Sequence, residues 1–239
     1  MLDHIQPENI LFLDIETVPN YPHYSEAPEI EQKLWDKKST YFRTPDQSGS
    51  DVYDRAGIYA EFGKIICISA GFIHLEGGQR KVRIKSFSGD DEKKLINEFK
   101  SLLKAFGERK EFSLCAHNGK EFDFPFIARR MLINRIMIPE ILDVAGKKPW
   151  EVKFIDTLDL WKFGDYKHYS SLDLLAYIFD IPSPKDDIDG SMVAEYYYEK
   201  KDLSSIVKYC EKDVITIIQL IQRFKGMELI PESNIAIIA

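Results

Sequence analysis

Residues 10–17 read Ile10-Leu11-Phe12-Leu13-Asp14-Ile15-Glu16-Thr17, an apolar run of strand length that ends in two carboxylates two positions apart. Side chains two apart on a strand project to the same face, so Asp14 and Glu16 converge beside a buried sheet. No lysine or arginine precedes Lys33. Two acids that lose hydration together repel, and either a proton or a divalent cation must relieve them.

Outward from this strand, residues 19–63 are polar, rich in tyrosine and interrupted by Pro19, Pro22, Pro28 and Pro45. They read as an insertion, serving as a substrate wall or as a flap over a sheet edge, with short helices over 29–38 and 51–62. Lys64–Leu75 and Arg80–Phe87 are strand-like, and Gly77-Gly78 between them marks a hairpin. Ser88 to Asp91 matches a capping box ahead of an amphipathic helix carrying Leu95, Ile96, Phe99, Leu103 and Phe106. Phe112–Ala116 and Lys153–Asp156 read as further strands, and a helix with Pro125 in its first turn runs to about Asn134. Ser171–Phe179 reads as a helix stopped by Pro182, and 182–189 as a loop. Leu203–Phe224 carries the apolar stripe Ile206, Cys210, Val214, Ile217 and Ile221 and stops near Gly226. This order predicts an α/β fold with a mixed central sheet, hairpin strands plus parallel strands, flanked by helices.

The 239 residues, 44% of them hydrophobic, suit one domain over 1–239 with a substantial core. A net charge of −7 argues against coating nucleic acid through a bulk positive field, yet permits a basic groove around an acidic centre. Cys67, Cys115 and Cys210 have no metal or disulfide spacing and read as reduced core residues of a cytoplasmic protein. No uninterrupted apolar run has membrane-spanning length, and the start lacks signal-peptide character, so no membrane partner is expected.

Candidate ligands for the first acid pair come from two other elements. Asp123 sits at the mouth of a predicted helix, where the alternative is an ordinary N-cap. Tyr209 and Asp213 are four apart on the last helix and flank its apolar stripe, so both look inward; the alternative is a structural hydrogen-bonded pair. Oxygen donors without zinc-like histidine spacing suit Mg²⁺ or Mn²⁺, and His4, His23, His74, His117 and His168 are scattered. An acid cluster holding two hard cations about 4 Å apart is an arrangement for in-line displacement at phosphorus, which points to phosphodiester hydrolysis.

The chain resembles the DEDD 3′-to-5′ exonucleases of the RNase H-like fold, in particular the predicted exonucleases related to the proofreading domain of family B DNA polymerases. Asp14-Ile15-Glu16 matches the first motif, Asn118 through Phe122-Asp123 the second, and Tyr209 with Asp213 the third motif of the tyrosine subclass. Lys208 stands where the other subclass places histidine. The resemblance implies that Asp14, Glu16, Asp123 and Asp213 hold two Mg²⁺ or Mn²⁺ ions and that Tyr209 orients the attacking water. It implies that Asn118 and Phe122 shape the terminal-nucleotide pocket, with core packing as the alternative for Phe122. The expected substrate is the 3′ end of a single strand, DNA preferred and RNA possible, released as nucleoside monophosphates.

Arg129 and Arg130 are candidates for backbone phosphate, in a stretch from Arg129 to Lys167 with eight basic and six acidic residues. Asp156 reads as the cap of a turn over 157–161, with a further metal-side acid as the alternative. Tyr21, Tyr24, Trp35, Tyr41 and Phe42 read as base-stacking groups or as packing for the insertion. Two other readings stay open: a nucleic-acid-binding module with little catalysis, and an endonuclease or small-molecule phosphoesterase on the same ions.

Overall fold

The structure, a computed structural model, describes residues 2–108, 112–165, 167, 169–182 and 188–238. Its strands are β1 (Ile10–Pro19), β2 (Gly63–Glu76), β3 (Gln79–Ser88), β4 (Ser113–Ala116), β5 (Phe154–Asp156) and β6 (Ile235–Ile238). They form one sheet in the order β5-β4-β1-β2-β3-β6. The hairpin pairs β1/β2 and β2/β3 are antiparallel, whereas β4 joins β1, β5 joins β4 and β6 joins β3 in parallel. This is the expected RNase H-like mixed sheet. Gly77 and Gly78, at φ of +60° and +78°, form its hairpin turn, a conformation that costs other residues a Cβ clash.

The helices are α1 (Glu29–Ser39), α2 (Glu92–Gly107), α3 (Asp123–Ile133), α4 (Thr157–Lys162), α5 (Leu172–Ile178), α6 (Val193–Tyr198) and α7 (Leu203–Phe224). Alternation along β1 divides the core between the two faces of the sheet. Leu11, Leu13 and Ile15 pack with Leu95, Ile96, Phe99, Phe124 and Ile127 of α2 and α3. Ile10 and Phe12 pack with Val214, Ile217, Ile218 and Ile221 of α7. Each such fully buried aliphatic stabilises the fold by about 1.5–3 kcal/mol relative to exposure, enough to hold α7 flat against the sheet.

Two departures from the expected elements have local causes. The N-cap of α2 is Asp91, whose Oδ1 accepts from the Lys94 amide at 3.0 Å, because Ser88 is still paired to Cys67 across β2/β3. Strand β6 and the short helices α4 and α6 lack a periodic signal of their own and form against elements distant in sequence. Most of the loop expected at 182–189, and His168, fall outside the described residues.

The insertion starts and ends at one place, since the Asn20 amide donates to the Phe62 carbonyl at 2.8 Å. Within it Trp35 is fully buried, donates its indole N–H to the Gly49 carbonyl at 2.8 Å, and meets the rings of Phe42, Tyr53, Tyr59 and Phe62 at centroid distances between 5.3 and 5.9 Å. Trp35 and Phe42 are therefore packing residues, while Tyr41 is exposed. Among the described residues no helix is long and apolar enough to cross a membrane.

Candidate active site

Strand β4 accompanies β1 only as far as the Phe12–Cys115 pair, so the flank of β1 that carries Asp14 and Glu16 has no parallel strand beside it. On the other flank Asp14 faces Ser69 and Glu16 faces Cys67 of β2, and the register slips between Glu16 and Thr17. Such a bulge adds local twist where strands meet a site. The acids thus stand at an opening in the sheet, on the face that α7 covers.

Helix α7 closes that face by apolar packing. Cys210 is fully buried, and its thiol donates to the Asp14 carbonyl at 3.4 Å. Tyr209 and Asp213, either side of it on the helix, are carried to β1 with it. A polar row secures the same contact. Ser69 and Ser86, laterally paired with Asp14 across β1, β2 and β3, share a hydrogen bond of 2.9 Å, and Ser86 donates to Glu211 Oε1 of α7 at 2.7 Å. Sequence reasoning did not find this row. Its signal was two serines in the buried-face register of otherwise apolar strands.

The third side of the site comes from the turn between β4 and α3. Asn118 has φ +61°, and a Cβ on Gly119 would stand 2.4 Å from that of Ala116, so the turn is tight enough to demand glycine there. Phe122 is the N-cap, leaving Asp123 as the first helical residue rather than the cap. Asp123 is 2% exposed and one of its oxygens, Oδ1, has no hydrogen-bond partner. Its carboxylate lies within reach of its own amide and that of Ile15, which β4 leaves free.

The electrostatics report that these groups meet. Burial first, then Asp213, Asp123 and Glu16, hold the Asp14 carboxyl well above the usual carboxylate range. Burial, then Asp213, does the same to Glu16. Asp123 is pushed up to about 8, chiefly by burial, with Asp156 and Asp213 adding to it and the two amides opposing. Burial and the charges of Asp213, Glu16 and Asp14 raise the Tyr209 phenol, which keeps its proton. No lysine or arginine figures among the main influences on Asp14, Glu16 or Asp123.

A group of this kind fits a hard divalent cation. Donor atoms of Asp14, Glu16 and Cys210 lie within 4.8 Å of one another, with Asp123 and Asp213 close enough to perturb the two acids. Burial pushes the Cys210 thiol up, so it remains a protonated donor to the backbone, and the ligands on offer are oxygens. The partnerless Asp123 Oδ1 is a buried acceptor of the sort a cation satisfies.

The remaining candidates separate. Phe122 packs on the main core, 5.5 Å from the Phe126 ring, which is the packing alternative. Arg129 is exposed near the end of the second turn of α3. Arg130 requires correction as a phosphate contact. It is 7% exposed, and its guanidinium donates to both Glu92 oxygens, at 2.8 and 2.6 Å, and to the Ala60 carbonyl at 2.8 Å. Three of its five N–H groups are spent on these partners, which turn the head inward, away from a strand outside. Asp156 is the cap of α4 and more: its carboxylate accepts from Leu158 and Asp159 of α4 and from Asn118 and Lys120 of the turn. His117 joins the same region, its Nδ1 2.9 Å from Thr157 Oγ1 and its Nε2 2.9 Å from the Ser170 carbonyl. A carbonyl requires the proton on Nε2, and burial lowers the affinity of the ring for a second one.

Comparison with known proteins adds the following. The family described as "Predicted 3'-5' exonuclease related to the exonuclease domain of PolB" matches residues 58–230, a span that holds Asp123, Tyr209 and Asp213 and begins after Asp14 and Glu16. The family B DNA polymerase of the hyperthermophilic archaeon Pyrobaculum calidifontis shares the fold with a TM-score of 0.56 at 15% identity, over 92% of this chain and 24% of the polymerase chain. The chain therefore spans about a quarter of that polymerase's length. No curated protein matches the sequence.

Proposed function

The chain belongs to the family of predicted 3′-5′ exonucleases related to the exonuclease domain of PolB, and from that premise we propose that it shortens single-stranded nucleic acid from the 3′ end, DNA in preference to RNA. One observation carries the reading: four carboxylates from three elements gather around one opening in the sheet, where the charges of Asp213 and its neighbours raise the proton affinity of Asp14, Glu16 and Asp123. We read residues 1–239 as one exonuclease-like unit with its insertion at about 19–63, working in the cytoplasm, where three buried free thiols are at home.

In this reading Asp14, Glu16, Asp123 and Asp213 would together hold two Mg²⁺ or Mn²⁺ ions. The ions supply a nucleophile at neutral pH and charge neutralisation at phosphorus. The chain's own groups do the rest. Glu16 and Asp123, each under a tenth exposed, keep bulk water from the ligand shell. Tyr209, whose phenol stays protonated, orients water through its hydroxyl rather than removing a proton. Asn118 lines the terminal-nucleotide side, Phe122 serves as core packing, and exposed Arg129 is left as the phosphate contact of the arginine pair.

The test is hydrolysis of 5′-end-labelled DNA and RNA single strands in Mg²⁺, Mn²⁺ or chelator, beside the Asp14→Ala protein. A metal-dependent ladder that shortens from the 3′ end and vanishes in the variant is expected. Equal activity in the variant, or internal cuts, overturns the exonuclease reading; no cleavage of either strand favours a binding module on the same fold.

A further inference from the structure

Asp156 is 2% exposed, and among the described residues no lysine or arginine side chain hydrogen-bonds it. What it has is backbone. Oδ1 takes the amides of Asn118 at 2.9 Å and Leu158 at 2.9 Å, with Asp159 at 3.4 Å, and Oδ2 takes the amide of Lys120 at 3.0 Å. Capping α4 needs only Leu158 and Asp159. The other two donors belong to the turn that precedes Asp123, on a different segment nearly forty residues earlier.

That turn is tight. Asn118 is left-handed at φ +61° without being glycine, and Gly119 is pressed against Ala116 and the Phe124 ring. Its own closure rests on the Asn118 carbonyl accepting from Glu121 and Phe122. Around it, Lys120 Nζ bonds Asp159 at 3.1 Å and His117 bonds Thr157 and Ser170, so α4 grips the turn at both ends with Asp156 in the middle. The turn delivers Asp123 to the flank of β1 that β4 has vacated.

We infer that Asp156 is the positioning residue of the second acidic motif: through the Asn118 and Lys120 amides it sets the turn that brings Asp123 against β1 beside Asp14. Its carboxylate is engaged by backbone amides, so it acts through the turn. Its effect on the reaction rests on the exonuclease reading above; its effect on where Asp123 stands does not.

Serine separates this role from simple capping. It is a good N-cap for α4, yet its single oxygen replaces two and cannot serve the turn as well. Asp156→Ser is compared with Asp123→Asn, with Asp91→Ala as a helix-cap loss remote from the site, and with the unaltered protein. Three quantities are measured: thermal midpoint, Mn²⁺ binding followed by the electron paramagnetic resonance signal of free Mn²⁺, and kcat and KM on a labelled single strand.

The expected result is an Asp156→Ser protein that still folds, melting earlier because two turn amides lose their acceptor, and that loses Mn²⁺ in step with Asp123→Asn. Its kcat is expected to fall by about 10²-fold, as for an ångström-scale misplacement, with KM little changed. A variant with unaltered Mn²⁺ binding and kcat, whether or not it melts earlier, overturns the inference and leaves Asp156 a cap. Should the unaltered protein cut no strand, the Mn²⁺ titration still decides between these outcomes, while the exonuclease reading fails separately.

Discussion

The two sides of the acidic opening are held by different physics. Asp14, Glu16, Tyr209 and Asp213 ride on β1 and α7, long regular elements clamped by Ile10, Phe12, Val214, Ile217 and Ile221. Asp123 rides on a tight turn fixed by buried polar contacts to Asp156, His117 and Thr157. Packing is non-directional and tolerates small losses, whereas a buried carboxylate with four backbone donors fixes direction and leaves orphaned amides when it goes. The β1/α7 side is therefore robust in position and fails by unfolding. The turn side fails in place.

The largest effect that could break this contrast is on chemistry. Asp14→Ala and Asp213→Ala should each lower hydrolysis by on the order of 10³-fold or more, since each removes a ligand of the ions that would neutralise charge at the reacting phosphate. Because both substitutions relieve repulsion, melting without metal should occur at the same temperature or higher; an early melt would assign the acids a structural role. Next in size, Ile217→Ala should cost about 2–5 kcal/mol of stability by chemical denaturation, with kcat of the folded fraction preserved. A loss of kcat at full folding would show that the packed side also fails in place.

The pH response is the third. Carboxyls whose folded affinity for protons exceeds their unfolded affinity bind more protons in the native state, so the contribution of Asp14, Glu16 and Asp123 to native stability is full below about pH 4 and is lost as pH rises through their folded values. For Asp123 the decline runs through about 8. A divalent cation replaces those protons, so Mn²⁺ should raise the melting temperature more at pH 8.5 than at pH 6, with proton release on binding seen by calorimetry in two buffers. A pH-independent rise would place the ion elsewhere. The smallest effect is that of Ser86→Ala, about 1 kcal/mol and a change in kcat of a few-fold, since two other strands and Cys210 still seat α7; a larger loss would make the serine row a determinant of Asp213's position.

The same contrast governs what was readable in the sequence. Strand β1, the Gly77-Gly78 hairpin and the whole of α7 announce themselves by local pattern, because period and punctuation are properties of adjacent residues. Arg130 did not, since its partner Glu92 lies on another helix and the sequence around Arg130 resembles any basic helix face. Asp156 was legible as a cap of α4 but not as the anchor of residues 118–120, a relation that exists only once β4 and β5 are neighbours. Strand β6 was missed for the same reason: Ile235–Ile238 is a strand because β3 offers it an edge. The three motifs were visible as spacing, but the order in which neighbouring charges perturb each acid depends on the fold.

The bond from the Asn20 amide to the Phe62 carbonyl has a further consequence. A detour whose two ends meet is, to the sheet, a single joint, and whatever hangs from that joint can lengthen, shorten or be exchanged without disturbing the pairing of β1 with β2. Residues 21–49, ahead of the segment that packs on β1, are thus a natural port for engineering and for drift, where a different recognition loop can be installed while the acids behind it keep their places. The clamp of Ala60 by Arg130 lies in the segment that such a graft should leave in place.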